Sequence, residues 1–379
     1  MRFNFKAFGL LTTSLAVLVL ADPAIADWTT SSHPCVGDRT NALHRDNDGT
    51  LWVGCGTTVN GTGLFFSVDN GQIWDKPQTD PAAFFDDFRV NDITRGHDGA
   101  LYAAGRDTLS SARIMRLDTS TAPPWIIGLT LDGTPSANFE VGTYRELADG
   151  RALAESQTGF DKLYRPNPGV GSPSSNWLQP AVSIEPFTQM IVHNDQLYAS
   201  GSRLAIPPRV FLPPQTPGAE PWEFVQLILD SGYDGEMWGI AVNNQRVVAV
   251  GVDQDENIGK IFISDGDPYN ASNYRQIDLP DIIGSGGLGT WARGVCMRDN
   301  WIAVVGERQP LGSFSGQVMV SSDGGQTFQD IKPAAAVSTV SKCVITPTGL
   351  LIVAGSGGFV GRWDGMLLGD KIFGDRFLR

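Results

Sequence analysis

Four acidic side chains fall in two short segments, Asp86-Asp87 and Asp234-Gly235-Glu236. A pair of carboxylates is what glycosidic hydrolysis requires, one as acid and the other as base or nucleophile. Tyr233 precedes the second segment and Arg293 follows Trp291 by two residues, so a Tyr/Arg pair for proton abstraction can also be drawn. The candidates for catalysis are therefore Glu236, Tyr233, Asp87 and Arg293. A second group, Arg89, Tyr144, Arg145, Trp238, Trp291, Arg293 and Lys342, combines aromatic faces with fixed cations. Those types recognise sugars or peptides by stacking and charge-assisted hydrogen bonds. Loops collect the same types as plain caps, and the residues alone leave binding and cleavage both open.

Other chemistry is poorly represented. Asp253, Asp255 and Asn257 place oxygens at alternate positions, as a calcium loop does. Ile258 and Ser264 stand where an EF-hand needs its glycine and terminal glutamate, so a solvated acidic loop is the preferred reading and no cofactor is expected. Cys35, Cys55, Cys296 and Cys343 form no C-x-x-C pair, which argues against zinc. Four cysteines allow three disulfide connectivities, and their split into an early and a late pair favours Cys35–Cys55 and Cys296–Cys343. No phosphate loop, haem motif or nucleophile elbow is present.

The elements that must position these residues are repeats. Short β-prone runs ending in glycine recur, among them Leu51-Trp52-Val53-Gly54, Leu101-Tyr102-Ala103-Ala104-Gly105, Val247-Val248-Ala249-Val250-Gly251 and Leu351-Ile352-Val353-Ala354-Gly355. Seven such runs start at 51, 101, 152, 197, 247, 302 and 351, a mean spacing near 50. Each follows a tight turn such as Asn47-Asp48-Gly49 or His97-Asp98-Gly99, a strong hairpin signal. A third β-prone run and an aromatic-bearing fourth complete each unit. Units of four antiparallel strands, repeated without amphipathic helices, predict an all-β, seven-bladed β-propeller over 27–364. The last unit runs out at Trp363-Asp364, so its fourth strand is expected from Asp27-Trp28-Thr29-Thr30, closing the ring. In such rings the loops before the first strands and after the second strands meet near the axis, at the top, and that is where the second group of candidates falls. A self-closed ring of this kind is expected to be a monomer.

Two turns between third and fourth strands carry a further pattern, Ser67-Val68-Asp69-Asn70-Gly71-Gln72-Ile73-Trp74 and Ser321-Ser322-Asp323-Gly324-Gly325-Gln326-Thr327-Phe328. This resembles the Asp-box, or BNR, repeat of sialidases, sortilin-type receptors, xyloglucanases and photosystem II assembly factors. Ile73 and Phe328 replace the usual Thr and Trp, and a third copy at Ser264-Asp265-Gly266 is degenerate. The resemblance implies structural roles for Ser67, Asp69, Gly71, Trp74, Ser321, Asp323, Gly325, Thr327 and Phe328, on the lower outer edge of the ring. It names a fold rather than a reaction. The sialidase tetrad Phe/Tyr-Arg-Ile-Pro is missing, Ala112-Arg113-Ile114-Met115 being the nearest run. Histidine-based lyases of seven-bladed type find no match either, since His97 and His193 fall at turns of the opposite face.

The chain opens with a basic start, an apolar run from Ala7 to Leu20 and then Ala24-Ile25-Ala26, the order of a secretory signal peptide. Cleavage is expected after Ala26, sending the protein to the periplasm or the medium, with no membrane span and a tail at 365–379. The whole chain has 28 basic and 41 acidic residues, a net charge of −13. That sign repels nucleic acid, which is discounted as a partner. The reading that follows is an exported propeller binding a carbohydrate or protein at its top face without catalysis. A polysaccharide-degrading hydrolase or lyase with its active site atop the central channel is the alternative, and an assembly factor or scaffold is the third.

Overall fold

The structure, a computed structural model, describes residues 28–30, 34–57, 62–78, 85–107, 112–117, 125–130, 140–148, 152–156, 162–166, 177–178, 187–201, 208–215, 223–227, 235–279, 289–309, 313–331, 333 and 337–365. The expected signal peptide, Tyr233 and the tail beyond Gly365 lie outside these residues.

The named elements are β-strands and two 3-10 turns. After β1 (Trp28–Thr30), the first sheet contains β2 (Thr40–Arg45), β3 (Leu51–Cys55) and β4 (Gly63–Ser67). Then come β5 (Arg89–Arg95), β6 (Leu101–Arg106), β7 (Ala112–Leu117) and β8 (Trp125–Thr130), followed by β9 (Val141–Glu146), β10 (Ala152–Ser156), β11 (Lys162–Pro166) and β12 (Trp177–Leu178). The fourth sheet is β13 (Gln189–His193), β14 (Gln196–Gly201), β15 (Arg209–Leu212) and β16 (Glu223–Gln226). The fifth is β17 (Gly235–Val242), β18 (Val247–Asp253), β19 (Ile258–Ser264) and β20 (Tyr274–Asp278). The sixth is β21 (Thr290–Arg298), β22 (Trp301–Arg308), β23 (Ser315–Ser321) and β24 (Gln329–Asp330). Last come β25 (Val340–Ile345), β26 (Leu351–Gly355) and β27 (Val360–Trp363), with β1 beside β27 in register Trp28↔Trp363.

Every sheet is an antiparallel meander, and the first strands of successive sheets touch in chain order, with β25 touching β2. The protein is thus an all-β β-propeller. Its core consists of apolar wedges between one sheet and the next. Leu51, Val53, Ile352 and Val360, for example, join the last sheet to the first. Ile302, Val304, Ile261 and Val250 join the fifth to the sixth. Each such fully buried side chain contributes roughly 1.5–3 kcal/mol by leaving water, so most of the stabilisation resides in contacts between sheets.

The expectation of four strands in every unit needs one correction. Six sheets have four strands, but the sheet of β2, β3 and β4 has three. Its fourth place is reduced to one bridge, in which the N–H and C=O of Phe66 pair with those of Asp75. Trp74 turns inward to the wedge between the last and first sheets, and Pro77, which has no N–H, cannot extend a ladder from Asp75.

The two Asp-box turns share one geometry. The Ser67 hydroxyl donates to Asp69 Oδ1 at 2.7 Å and accepts from Gly71 N at 2.8 Å, while Asp69 Oδ1 accepts from Gln72 N and Ile73 N at 2.9 and 3.0 Å. Ser321, Asp323 and Gly325 repeat this, with an added bond from the Thr327 hydroxyl at 2.6 Å. Gly71 and Gly325 sit at φ +83° and +87°, where a Cβ is strained. In the degenerate third copy Asp265 instead pairs with Arg275 at 2.8 Å. Burial would raise the Asp323 carboxyl, but the Thr327 hydroxyl and the turn N–H groups hold it at about 2. A depressed carboxylate stabilises the folded state above its unfolded value near 4 and loses that contribution as pH falls toward 2. Asp323→Ala is expected to lower stability by about 1 kcal/mol at pH 7, on the scale of a lost helix cap. Urea titrations at pH 7 and pH 2.5 should show a smaller difference at the lower pH.

Both disulfides are present. Cys35–Cys55 ties the segment before β2 to the end of β3, and Cys296–Cys343 joins β21 to β25, the first strands of neighbouring sheets.

Candidate functional site

A cavity of about 310 Å³ opens on the ring axis, lined from all of the first strands or the residues just before them. A local register slip builds it. In five first strands the pairing with the second strand skips one residue: Asn41, Asn91, Trp238, Arg293 and Ser341. In β9 the skipped residue is Gly142. A bulge leaves its extra residue unpaired and re-aims it, and all six line the cavity. β13 pairs without a slip, and Thr188, just before it, lines the wall there.

The glycine near the end of most second strands belongs to this device, β10 being the exception. A Cβ on Gly105 would lie 1.8 Å from the Arg89 carbonyl oxygen, and one on Gly306 would lie 1.9 Å from that of Trp291. The bulge presses the first-strand carbonyl onto the second strand, and only glycine leaves room.

Four cations line the cavity: Arg39, Arg89, Arg293 and Lys342. Arg89 pairs with Glu140 at 3.1 Å. Arg293 donates to Glu307 Oε1 through Nε at 2.9 Å and Nη2 at 2.5 Å, and the Thr339 hydroxyl holds the other oxygen of Glu307. The Arg293 guanidinium also lies over the Trp238 ring at 4.0 Å and the Trp291 ring at 4.7 Å. The two indoles meet edge to face at 6.0 Å, and Trp291 leads on to Phe314, which is 45% exposed. Trp238 Nε1 donates to Glu236 at 3.0 Å, and Trp291 Nε1 donates to Asn257 at 2.6 Å. The result is a rigid stack of two indoles and a guanidinium at the mouth.

Burial lowers the Lys342 ammonium from the ordinary lysine value. Asp92 opposes the shift, whereas Arg39 and Arg145 add to it. Burial likewise lowers Arg39, with Arg293 and Arg89 acting in the same sense and Glu307 against them. Arg39 keeps accessible surface because it borders the cavity.

Several sequence candidates stand elsewhere. Tyr144 is buried against Tyr102, ring centroids 5.0 Å apart, and burial with the nearby Glu146 charge holds its phenol well above the usual value. It packs with Tyr102, Ala104 and Ile114 in the wedge between the second and third sheets. Arg145 is held by Asp92 at 2.5 Å, and Trp291, two residues before Arg293, supports that side chain rather than lining the cavity. Asp87 is exposed in the turn before β5, beside Asp86, which pairs with Lys76. Glu236 lies beside the cavity through Trp238, so no carboxylate pair assembles from the described candidates.

The acidic loop is also corrected. Asp253 is fully buried and accepts from the N–H groups of Asp255 and Glu256, and Asn257 is taken by Trp291. The ammonium of Lys260 lies 3.8 Å from Asp253, 2.7 Å from Glu256 and 2.9 Å from Asp278. That ammonium is the counter-charge of the three carboxylates around it. Among the described residues no cluster of three or more His, Cys, Asp or Glu could hold a metal.

Sequence reasoning did not single out Arg39, Asn41, Asn91, Thr188 or Ser341. A signal for most of them exists: the residue facing the cavity lies on the strand opposite each glycine-ended run.

No family model and no curated protein matches the chain. Solved structures do. A YCF48 from Cyanidioschyzon merolae is 13% identical over 90% of this chain and 99% of its own, with a TM-score of 0.58. A YCF48 bound to D1 peptide is 18% identical over 89% and 96%, with a TM-score of 0.57. A catalytically inactive virginiamycin B lyase from Staphylococcus aureus, solved with quinupristin, is 9% identical over 89% and 99%, with a TM-score of 0.54. Identities this low speak of fold alone, and the fold they share with this chain is the β-propeller.

Proposed function

We propose that this chain is a non-catalytic binding propeller of the Asp-box kind, which holds a protein partner on the face where the axial cavity opens. In this reading the three-stranded sheet is a blade like the other six, and β1 closes a seven-bladed ring. An exported location, after signal-peptide cleavage at Ala26, fits the two disulfides, which persist in oxidising compartments.

One observation carries the proposal: Trp238, Arg293 and Trp291 form a fixed stack at the mouth, with exposed Phe314 beside it. Trp and Arg dominate binding hot spots because they bring large area and charge with few degrees of freedom to freeze. This stack is already held by Glu307, Glu236 and Asn257, so little ordering remains for the bound state. A similar fold with a bound peptide, the YCF48 bound to D1 peptide, supports a polypeptide as partner.

Arrayed peptides probed with the wild-type chain are expected to yield binders that Trp238→Ala and Arg293→Ala each weaken by about 30-fold, the effect of a 2 kcal/mol hot spot. A parallel polysaccharide panel read for reducing ends and unsaturated products should stay silent. Product formation abolished by Glu236→Gln would overturn the reading in favour of an enzyme.

A further inference from the structure

We infer that Arg39 and Lys342 form a binding site for a divalent oxyanion in the axial cavity. The inference rests on that cavity being the ligand site proposed above, and it names the chemical group the site selects.

The charge balance of the wall points there. Arg89 is matched by Glu140, and Arg293 by Glu307. Arg145, which acts on Lys342 from behind, is matched by Asp92. Among the described residues no hydrogen bond or ion pair reaches the Arg39 guanidinium or the Lys342 ammonium. These two stand at the junction of the first and last sheets, where β2 and β25 touch. Lys342 is half-buried and Arg39 is exposed where it borders the cavity, near enough for its charge to lower the Lys342 ammonium, and two like charges at that range are unfavourable without a counter-ion. The rest of the chain, at −13, makes this a local inversion of sign that an anion would be drawn into.

The neutral polar groups of the wall are already committed. Asn41 donates to Gly56 O at 2.6 Å and Asn91 to Val141 O at 3.0 Å. The hydroxyl of Thr188 donates to Met237 O at 2.5 Å. Recognition of an incoming group therefore falls to the two unmatched cations. Together they carry two positive charges. A monocarboxylate would leave one of them uncompensated, whereas a sulfate or a doubly ionised phosphate balances both. The guanidinium fork can engage two oxygens of a tetrahedral group while the ammonium, a compact point charge, takes a third. A cavity of about 310 Å³ holds roughly ten waters. That exceeds a single ion and leaves space beside Trp238 for the substituent of an ester.

The test is calorimetric titration of the full chain at constant ionic strength with sodium sulfate, sodium acetate and phenyl phosphate. Sulfate is expected to bind one to one and acetate at least about tenfold more weakly. Arg39→Gln and Lys342→Met, which remove the charge but keep an unbranched stem, should each weaken sulfate by about tenfold or more, the scale of one charge-assisted contact. Arg39→Lys should retain most of the affinity, and thermal melts identify any variant that fails to fold. Phenyl phosphate binding more tightly than sulfate marks an ester-bearing ligand, and the reverse order marks the free ion. Both orders support a divalent site. Equal binding of acetate and sulfate, absence of sulfate binding, or unchanged affinity in both folded variants would overturn it. Peptide binding that survives Arg39→Gln and Lys342→Met in the presence of such a result would sink the oxyanion site while leaving the binding reading intact. Sulfate binding without any peptide binder would do the opposite.

Discussion

Asp46→Ala is expected to destabilise the protein by about 3 kcal/mol, with a lower urea midpoint and no change in the architecture of the ring. Asp46 lies in the turn after β2 with its side chain 3% exposed. It accepts from His44 Nε2 at 3.0 Å, from Trp52 Nε1 at 3.0 Å and from Arg95 Nε at 2.8 Å, and Arg95 Nη2 closes on its second oxygen. His44 and Trp52 belong to the same sheet as Asp46, but Arg95 ends the first strand of the next one. The carboxylate therefore clamps two sheets together on the face opposite the cavity. Removing one member of a buried charged network costs about 3–5 kcal/mol, because the partners stay behind without their acceptor. Arg95 is 35% exposed and can recover some hydration, which places the expectation at the lower end of that range.

The pH dependence of the same clamp has a definite sign. Burial would raise the Asp46 carboxyl, but the hydrogen bonds and charges of His44 and Arg95 outweigh it and hold the group well below the ordinary carboxylate range. Its contribution is then complete above the unfolded value near 4 and drains away as pH falls through the folded one. Wild type and Asp46→Ala should differ fully at pH 6, still differ at pH 3, and converge only in stronger acid. A difference that stayed constant down to acid pH would show that the interaction with Arg95 is not ionic.

How much of this was legible in the chain depends on the range of the signal. The repeat is local: an Asp-Gly turn and a glycine-ended strand both announce themselves within ten residues, which is why the unit boundaries and strand order could be read. The fourth strand of the first unit could not, because Trp74 has the type expected of a strand while the Asp-box turn and Pro77 around it prevent pairing. The cavity wall was legible only in part. Arg89, Trp238, Arg293 and Lys342 do face the axis. Tyr144 and Arg145 miss it by two and three residues, and Trp291 by two. Facing is decided by a bulge, and a slip of one residue exchanges the two sides of a strand. Composition does not report that slip, although the close approach at Gly105 and Gly306 does. The acidic loop misled for a related reason. Its counter-ion is Lys260, whose position in β19, pointing back at Asp253, becomes apparent only once the hairpin is folded.

Replacing both Cys296 and Cys343 by alanine is expected to cost about 4 kcal/mol. The bridge spans 47 residues of sequence, and a closed loop of that length removes roughly that much conformational freedom from the unfolded chain. Cys35–Cys55, with a separation of 20, is worth about 3 kcal/mol on the same scale. The ordering of the two follows from loop length alone, so it tests the mechanism as well as the magnitude. A bridge that acts through the unfolded ensemble leaves the folded wall in place when it is lost. Lys342, adjacent to Cys343, should then keep its position, and sulfate affinity in the double variant should stay within about threefold of wild type while the urea midpoint falls. Dithiothreitol should lower the midpoint of the wild type by the share of both bridges, and that of the double variant only by the share of Cys35–Cys55. If instead sulfate affinity collapsed with the bridge intact elsewhere, Cys296–Cys343 would have to be holding β21 and β25 in place in the folded ring. The two cations would then depend on that cross-link for their spacing rather than on the bulge geometry of β25.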